Sequence, residues 1–148
     1  MTDPPSSSIL FRRAGRQLDR PRLKAFAHRL ESEVAGGRPF VCLITDDREL
    51  RRLNREFRGK DEPTDVLSFP STDGQSLGDL AISADRAREQ GPRYGHGETE
   101  ESAILMLHGL LHLMGMDHER DRGAMRRAET RWRKALGLPP SLTERARR

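Results

Sequence analysis

The chain has 148 residues, enough for one domain that buries about two thirds of the surface its unfolded form exposes. Hydrophobic and charged residues make up 34% each, the net charge is +4, and no apolar run is long enough to span a bilayer, which excludes an integral membrane protein. Residues 1–8 are polar and lack the pattern of a secretion signal, so we expect a cytoplasmic protein.

The amino-terminal third predicts two strands around one helix. Residues 1–8 are expected to be mobile, and Ile9–Arg13 to form an edge strand. Asp19 can cap a helix whose apolar residues recur at helical spacing until two glycines end it. The continuous apolar run Phe40–Ile44 predicts a buried strand, in which the single cysteine, Cys42, is a core thiol.

A strongly basic helix is predicted to follow. Asp46 and Glu49 are spaced as in a capping box, and Leu50, Leu53 and Phe57 fall on one face. The other face and the loop after it carry the basic residues Arg48, Arg51, Arg52, Arg55, Arg58 and Lys60. Arginine offers a planar fork of donors to phosphate, which favours a polyanionic partner. The alternative is a solvated charged face.

Two further strands are predicted at Val66–Phe69 and Gly78–Ile82. Ser83 then caps a short helix, and Gly91–Gly97 forms a loop. His96 in this loop is a possible further metal ligand, although a histidine in a loop is more often exposed to solvent.

Three histidines lie within a mainly apolar stretch that is predicted to be a central helix. His108 and His112 are four residues apart, so they share one helical face and can bind one ion. Gly115 favours the left-handed conformation that ends a helix, which lets the chain turn back and bring His118 to the same ion. Three imidazoles with one open position are typical of catalytic zinc, and copper, nickel and iron also suit them. The alternative, three core histidines bonded to backbone, conflicts with the apolar surroundings.

The residue after the first histidine distinguishes this site from a metalloprotease. The spacing H-x-x-x-H-x-x-G-x-x-H is the ligand frame of the metzincins, which carry Glu directly after the first histidine as the general base. That residue is Gly109 here, so a peptidase would lack its base. Asp117 is the nearest carboxylate, either as a replacement base or as a group that orients an imidazole.

The last part of the chain predicts one more helix and a basic tail. Thr99 is predicted to cap the central helix, and Asp121 to start the final helix, which ends at the prolines Pro139 and Pro140. Residues 141–148 are expected to be mobile. The prediction is a single α+β domain over residues 1–148, with a small mixed sheet of about four strands packed with helices around the central helix that bears the histidines.

Three segments of the chain carry a family resemblance. They are R-G-K-D-E-P-T-D-V-L-S-F-P (58–70), G-D-L-A-I-S (78–83) and H-G-L-L-H-L-M-G-M-D-H (108–118). Together and in this order they resemble the YbeY family of bacterial metal-dependent endoribonucleases, which mature ribosomal RNA. The resemblance implies the same α+β arrangement and a pocket in which Arg58 binds phosphate beside the metal held by His108, His112 and His118.

The leading hypothesis is a zinc-dependent endoribonuclease that cleaves single-stranded RNA, with one Zn²⁺ per chain. Arg51, Arg52, Arg55 and Lys60 would extend the electrostatic path for the strand. The resemblance implies a role in small-subunit ribosomal RNA maturation and ribosome quality control, with ribosomal RNA, the small subunit and its proteins as partners and no membrane. An alternative is a metal-stabilised RNA- or ribosome-binding assembly factor without hydrolytic activity. A metallopeptidase is a third hypothesis.

Overall fold

A four-stranded mixed sheet organises the fold. The computed structural model describes residues 7–117, 122–140 and 142–145. The strands are β1 (Ser8–Phe11), β2 (Phe40–Thr45), β3 (Val66–Pro70) and β4 (Gly78–Ser83), in the spatial order β1-β2-β4-β3. The pairs β1–β2 and β2–β4 are parallel, and β3–β4 is antiparallel. The predicted α+β class, the mixed sheet and the edge position of β1 are therefore confirmed, but β1 begins at Ser8, within the segment 1–8 that was expected to be mobile, and ends at Phe11 instead of Arg13.

Six helices pack with this sheet in the described part of the chain. They are α1 (Arg20–Arg29), which continues into a π-helical turn (Leu30–Val34), α2 (Asp47–Arg58), α3 (Ala84–Arg93), α4 (Glu98–Leu113), α5 (Ala124–Ala135) and α6 (Leu142–Arg145). Three predicted caps are present: the side chains of Asp19, Asp46 and Ser83 each accept a hydrogen bond from the backbone N–H three residues further on. None of these helices is long and apolar enough to cross a membrane.

The central helix α4 is buried on several sides, as its apolar sequence predicted. It packs against β3 and β4 and against α1, α3, α5 and α6. Its fully buried side chains include Ile104, Leu105, Met106, Leu107 and Leu110. A Cβ on Gly109 would lie 2.8 Å from Cδ2 of Leu80, so the absence of a side chain at this position lets α4 approach the sheet closely.

Two predicted helix boundaries differ from the structure. The N-cap of α4 is Gly97, and Thr99, the predicted cap, lies inside the helix, where its Oγ1 accepts a 3.0 Å hydrogen bond from the backbone N–H of Asp19. The helix α3 runs on to Arg93, beyond the predicted loop start at Gly91. A Cβ on Gly91 would lie 2.7 Å from the carbonyl oxygen of Gly97, so this glycine permits close packing and does not break the helix.

Phe57 shares a face of α2 with Leu50 and Leu53, as predicted, but it is 61% exposed, and its ring contacts Phe69 of β3 with ring centroids 5.5 Å apart. The carboxyl-terminal tail was expected to be mobile, but residues 142–145 form α6. In that helix Arg145 is buried because both its terminal nitrogens lie 2.7 Å from the buried carboxylate of Glu101 on α4.

Asp121, the predicted start of the last helix, lies outside the described residues, and α5 begins at Ala124 after Gly123.

Candidate metal centre

Two of the predicted metal ligands face each other on the last turns of α4. The Nε2 atoms of His108 and His112 are 3.2 Å apart, and the two rings are inclined at 73°. This arrangement follows from their four-residue spacing on a helix. Two nitrogens that each lie about 2.0–2.1 Å from one tetrahedral zinc ion are about 3.3 Å apart, so this pair fits such an ion.

A buried carboxylate stands behind the first histidine. Nδ1 of His108 is hydrogen-bonded to Oε1 of Glu129, which lies on α5 and has a side chain with no exposed surface. A carboxylate only accepts hydrogen bonds, so Nδ1 is the donor and Nε2 carries the lone pair that faces His112. A histidine whose other ring nitrogen donates to a carboxylate is the common arrangement in metal sites, and the donor chemistry of His108 fits a metal ion.

Glu129 is a candidate functional residue that the sequence-based prediction missed. The prediction named Asp117 as a carboxylate that could orient an imidazole, and the carboxylate bonded to His108 is that of Glu129. The sequence does contain a signal. Met125, Glu129 and Trp132 recur at helical spacing, which puts a carboxylate on the inward face of α5 where it needs a partner.

The third predicted ligand, His118, lies outside the described residues. The chain leaves α4 through Met114 and Gly115, and Gly115 has the predicted left-handed conformation with φ of 95°. Asp117 follows at the wall of the cavity in front of the histidines. Within the described ranges, no group of three histidine, cysteine or carboxylate side chains is assembled for a metal ion.

The histidine pair opens into a cavity that also contains Arg58. The cavity has a volume of about 530 Å³, and its polar wall consists of Arg58, Asp65, Ser68, His108, His112 and Asp117. Nη2 of Arg58 donates a 2.7 Å hydrogen bond to the carbonyl oxygen of Ser68 on β3. The Ser68 hydroxyl donates to the carbonyl oxygen of Gly109 on α4 at 3.1 Å. Backbone packing of β3 on α4 thus brings the predicted phosphate-binding arginine and the histidine pair to one cavity.

In the described part of the chain, Arg58 forms no salt bridge with Asp61 or Asp65, the two aspartates of the loop that follows it. Asp61 is instead paired with Arg51, with Nε and Oδ1 2.9 Å apart. The hydrogen bonds from Arg51 lower the pKa of Asp61 below its usual value.

The remaining basic residues predicted to bind RNA lie outside the histidine cavity. Arg51, Arg52 and Arg55 line a second surface cavity of about 530 Å³ on α2, and Lys60 is exposed. Arg51, Arg55 and Arg58 fall within about 60° around the helix axis, so they form a row that reaches the first cavity. Arg52 lies off this row and is paired with Glu49 at 2.8 Å and Glu56 at 2.7 Å. The row therefore leads from the surface cavity on α2 to the cavity that contains the histidine pair, and Arg52 lies to one side of this row.

The histidine predicted in a loop, His96, is not exposed to solvent. Its side chain is 7% exposed, and its Nε2 lies 2.6 Å from Oε1 of Glu101. It is not part of the wall of the histidine cavity. Exposure was expected because loops usually lie at the surface, but here α6 covers the loop and Arg145 shares the same carboxylate.

The packing of Gly109 excludes the general base of the metzincin peptidases from its usual position. This residue faces the sheet, where Leu80, Val66 and Ser68 leave no room for a side chain. A glutamate at this position, the general base of the metzincins, could not be accommodated without moving α4 away from the sheet.

Comparison with known proteins identifies close relatives over most of the chain. A family model described as Endoribonuclease YbeY matches residues 17–137. A protein from Solibacter usitatus named Endoribonuclease YbeY is 60% identical over 145 residues, which are 98% of each chain. A protein of the same name from Koribacter versatilis is 53% identical over 114 residues, 76% of this chain and 75% of its own. A solution structure from Thermotoga maritima matches with a TM-score of 0.60 and 24% identity over 86% of each chain, which supports the fold.

Proposed function

The chain belongs to the Endoribonuclease YbeY family, and we propose that it is a zinc-dependent endoribonuclease that cleaves single-stranded RNA. The resemblance predicted from the three sequence segments is confirmed. Family membership supports a hydrolase that acts on RNA in ribosomal RNA processing. The finer parts of the proposal are zinc as the metal, single-stranded RNA as the substrate, and maturation and quality control of the small ribosomal subunit.

The observation that carries the proposal is the shared cavity of the histidine pair and Arg58. His108 and His112 present two nitrogens 3.2 Å apart, and Arg58 lines the same cavity of about 530 Å³. A cavity of this size is within the range of sites for small ligands, and here it would take one nucleotide unit of a longer chain. The combination of metal-binding nitrogens with a guanidinium is suited to a phosphodiester.

We propose that His108, His112 and His118 hold the ion. When bound, zinc supplies a Lewis acid and lowers the pKa of a water molecule to about 7, which provides a nucleophile at neutral pH. Glu129 fixes the ring of His108 from behind through Nδ1. The third histidine would come from the segment that follows the left-handed turn at Gly115.

Arg58 would bind the scissile phosphate in this proposal. One of its five N–H groups is directed to the Ser68 carbonyl, and this hydrogen bond orients the planar guanidinium in the cavity. Donors aimed at a phosphate stabilise the negative charge that develops on its oxygens during cleavage. Arginine side chains are not deprotonated in proteins, so this proposal gives Arg58 no role as a general acid or base.

The RNA strand would approach along α2. Arg51 and Arg55 lie on the same side of this helix as Arg58, and the exposed Lys60 follows directly after it. Such a row attracts a phosphate backbone without reading its sequence. Because Arg52 lies off the row and is paired with two glutamates, we expect it to contribute least of the four residues.

The proposal is tested by mapping cleavage on a labelled precursor of small-subunit ribosomal RNA. Zinc-loaded protein is expected to cut single-stranded segments, whereas a duplex of the same sequence should stay intact. His112→Ala is expected to remove cleavage by removing a ligand. His28→Ala, in an exposed histidine far along the chain from the site, is the matched control and should cut at the parental rate. Equal cleavage by His112→Ala would overturn the metal-dependent mechanism, and binding to ribosomal subunits without any cleavage would favour the assembly-factor hypothesis.

A further inference from the structure

A chain of hydrogen bonds connects the carboxyl-terminal helix to the histidine pair. Oε1 of Glu129 is bonded to Nδ1 of His108, and Oε2 accepts from both the hydroxyl and the backbone N–H of Thr143, at 2.7 Å and 3.3 Å. We propose that Glu129, oriented by Thr143, is a positioning residue that keeps His108 in the tautomer able to bind a metal ion. This inference rests on the proposed metal site, but it concerns the ring of His108 and not the RNA substrate.

The hydrogen bond between Glu129 and His108 has a defined direction. A neutral imidazole carries one N–H, on either Nδ1 or Nε2, and only the other nitrogen has a lone pair for a metal. The carboxylate of Glu129 needs a donor, so it selects the form with the hydrogen on Nδ1. Nε2 of His108 is then the nitrogen that faces His112, at the position where an ion would bind.

Thr143 orients the carboxylate of Glu129. Its side chain has no exposed surface, and Thr143, which gives two donors to Oε2, is 6% exposed. The helix that carries Thr143 is held on both sides. Arg145 forms the buried pair with Glu101 of α4, and Glu144 pairs with Arg133 of α5 at 2.9 Å. The orientation of the carboxylate is therefore set by the docking of α6.

An amide cannot accept hydrogen bonds at both ends, as the carboxylate of Glu129 does. Glutamine has one oxygen and one NH₂ group, whereas both His108 and Thr143 present donors to the two ends of Glu129. Since Thr143 gives two donors and His108 one, the oxygen of a glutamine is expected to face Thr143. The NH₂ group then faces Nδ1, which must accept, and the hydrogen of His108 moves to Nε2, where it blocks the metal.

The experiment uses Glu129→Gln in the full chain. Long-range ¹H–¹⁵N NMR on the metal-free protein reports which ring nitrogen of His108 carries the hydrogen, and competition with a chelator measures zinc affinity. The parent is expected to show the Nδ1–H form. The variant is expected to show the Nε2–H form and to lose affinity by about ten- to a hundredfold. A variant that keeps the Nδ1–H form, or zinc affinity within about twofold of the parent, would overturn the proposal.

Two further variants separate positioning from general stability. Glu33→Gln removes the half-exposed carboxylate that pairs with Arg29, outside the hydrogen-bond chain of Thr143, Glu129 and His108, so it is expected to leave the tautomer and the zinc affinity unchanged. Adding Thr143→Val to Glu129→Gln removes the stronger donor, so the glutamine oxygen can turn to His108. We expect this double variant to regain part of the Nδ1–H form and of the affinity, and the proposal fails if it does not.

If Glu129→Gln does not fold, Thr143→Val alone is the test. It removes the 2.7 Å hydrogen bond and leaves the carboxylate in place, so zinc affinity should fall severalfold. Unchanged affinity in this variant would overturn the role of Thr143. The readouts also distinguish this proposal from the proposed function: RNA cleavage could be absent while the tautomer switch occurs, and cleavage could occur without any switch.

Discussion

Arg58 donates a 2.7 Å hydrogen bond to the carbonyl oxygen of Ser68. The Ser68 hydroxyl bonds to the carbonyl oxygen of Gly109, the residue next to His108, so two hydrogen bonds connect the guanidinium to the helix that bears the histidines. Both bonds end on backbone atoms of regular elements. The position of Arg58 relative to the histidine pair is therefore set by the packing of β3 on α4.

Arg58→Ala should separate catalysis from metal binding. The variant keeps the histidines, so it should retain its metal and unfold within a few degrees of the parent temperature. RNA cleavage should fall by about ten- to a thousandfold, because a donor to the charged phosphate is lost. Metal content, melting temperature and cleavage rate are measured on one preparation. Arg58→Lys is a matched control that keeps the charge but not the fork of donors, and it should recover only part of the rate. Parental cleavage by Arg58→Ala would remove this arginine from the site.

Removal of the metal should inactivate the protein without unfolding the described core. The large side chains of α4 are buried against the sheet and the neighbouring helices, and none of these contacts needs an ion. Chelation should abolish cleavage and leave the far-UV circular dichroism close to that of the loaded protein. His112→Ala should behave in the same way. Cooperative unfolding on chelation would instead support a metal that mainly stabilises the fold.

Gly109→Ala should destabilise the fold, because the added Cβ would lie 2.8 Å from Cδ2 of Leu80 and 3.1 Å from Cγ2 of Val66. Overpacking of this kind costs about 1–3 kcal/mol, and we expect a fall in melting temperature of several degrees. Combination with Leu80→Val, which removes the nearest atom, tests the cause. The two losses should be less than additive, and simple additivity would show that Leu80 is not the obstacle.

Arg55→Ala and Arg52→Ala should differ in their effect on RNA binding. Arg55 lies in the row with Arg58 and is weakly paired, because its Nη1 is 3.9 Å from Oδ1 of Asp61. Arg52 is closely paired with two glutamates, at 2.8 Å and 2.7 Å. Arg55→Ala should lower the slope of log affinity against log salt by about 0.7, the value for one phosphate contact on a single strand. Arg52→Ala should change it less. Equal slopes for the two variants and the parent would mean that these arginines are solvated surface only.

Arg52→Ala should also change how stability depends on pH. Hydrogen bonds from Arg52 are the largest cause of the lowered pKa of Glu49. A carboxyl group with a lowered pKa in the folded state stabilises the fold above its unfolded value of about 4.3, and the stabilisation is lost as pH falls through the folded value. The variant should therefore melt slightly below the parent at pH 7, by less than about 4 °C because solvent screens the half-exposed Arg52, and the difference should shrink below about pH 4. A constant difference at all pH values would show that Glu49 does not mediate it.

Short-range features of the fold were predictable from the sequence alone. The caps Asp19, Asp46 and Ser83 act on residues only three positions away, and the left-handed turn at Gly115 depends on one residue type. The pairing of His108 with His112 follows from the geometry of any helix. The resemblance to the YbeY family also rests on short contiguous segments. In each case the physical cause acts within one turn of the chain.

Contacts between elements that are distant in sequence were decided only by the tertiary structure. Glu129 reaches His108 because α5 packs on α4. Arg145 is buried because it pairs with Glu101, which lies 44 residues earlier in the chain. By composition alone, the first looked like an ordinary helix residue and the second like part of an exposed basic tail. A buried charge is stable only when its partner is in place, and that partner is brought there by packing. The sequence therefore determined the histidine pair, three of the helix caps and the family, whereas packing decided which carboxylate contacts His108, where Arg58 lies, and that residues 142–145 form a helix with Thr143 and Arg145 buried.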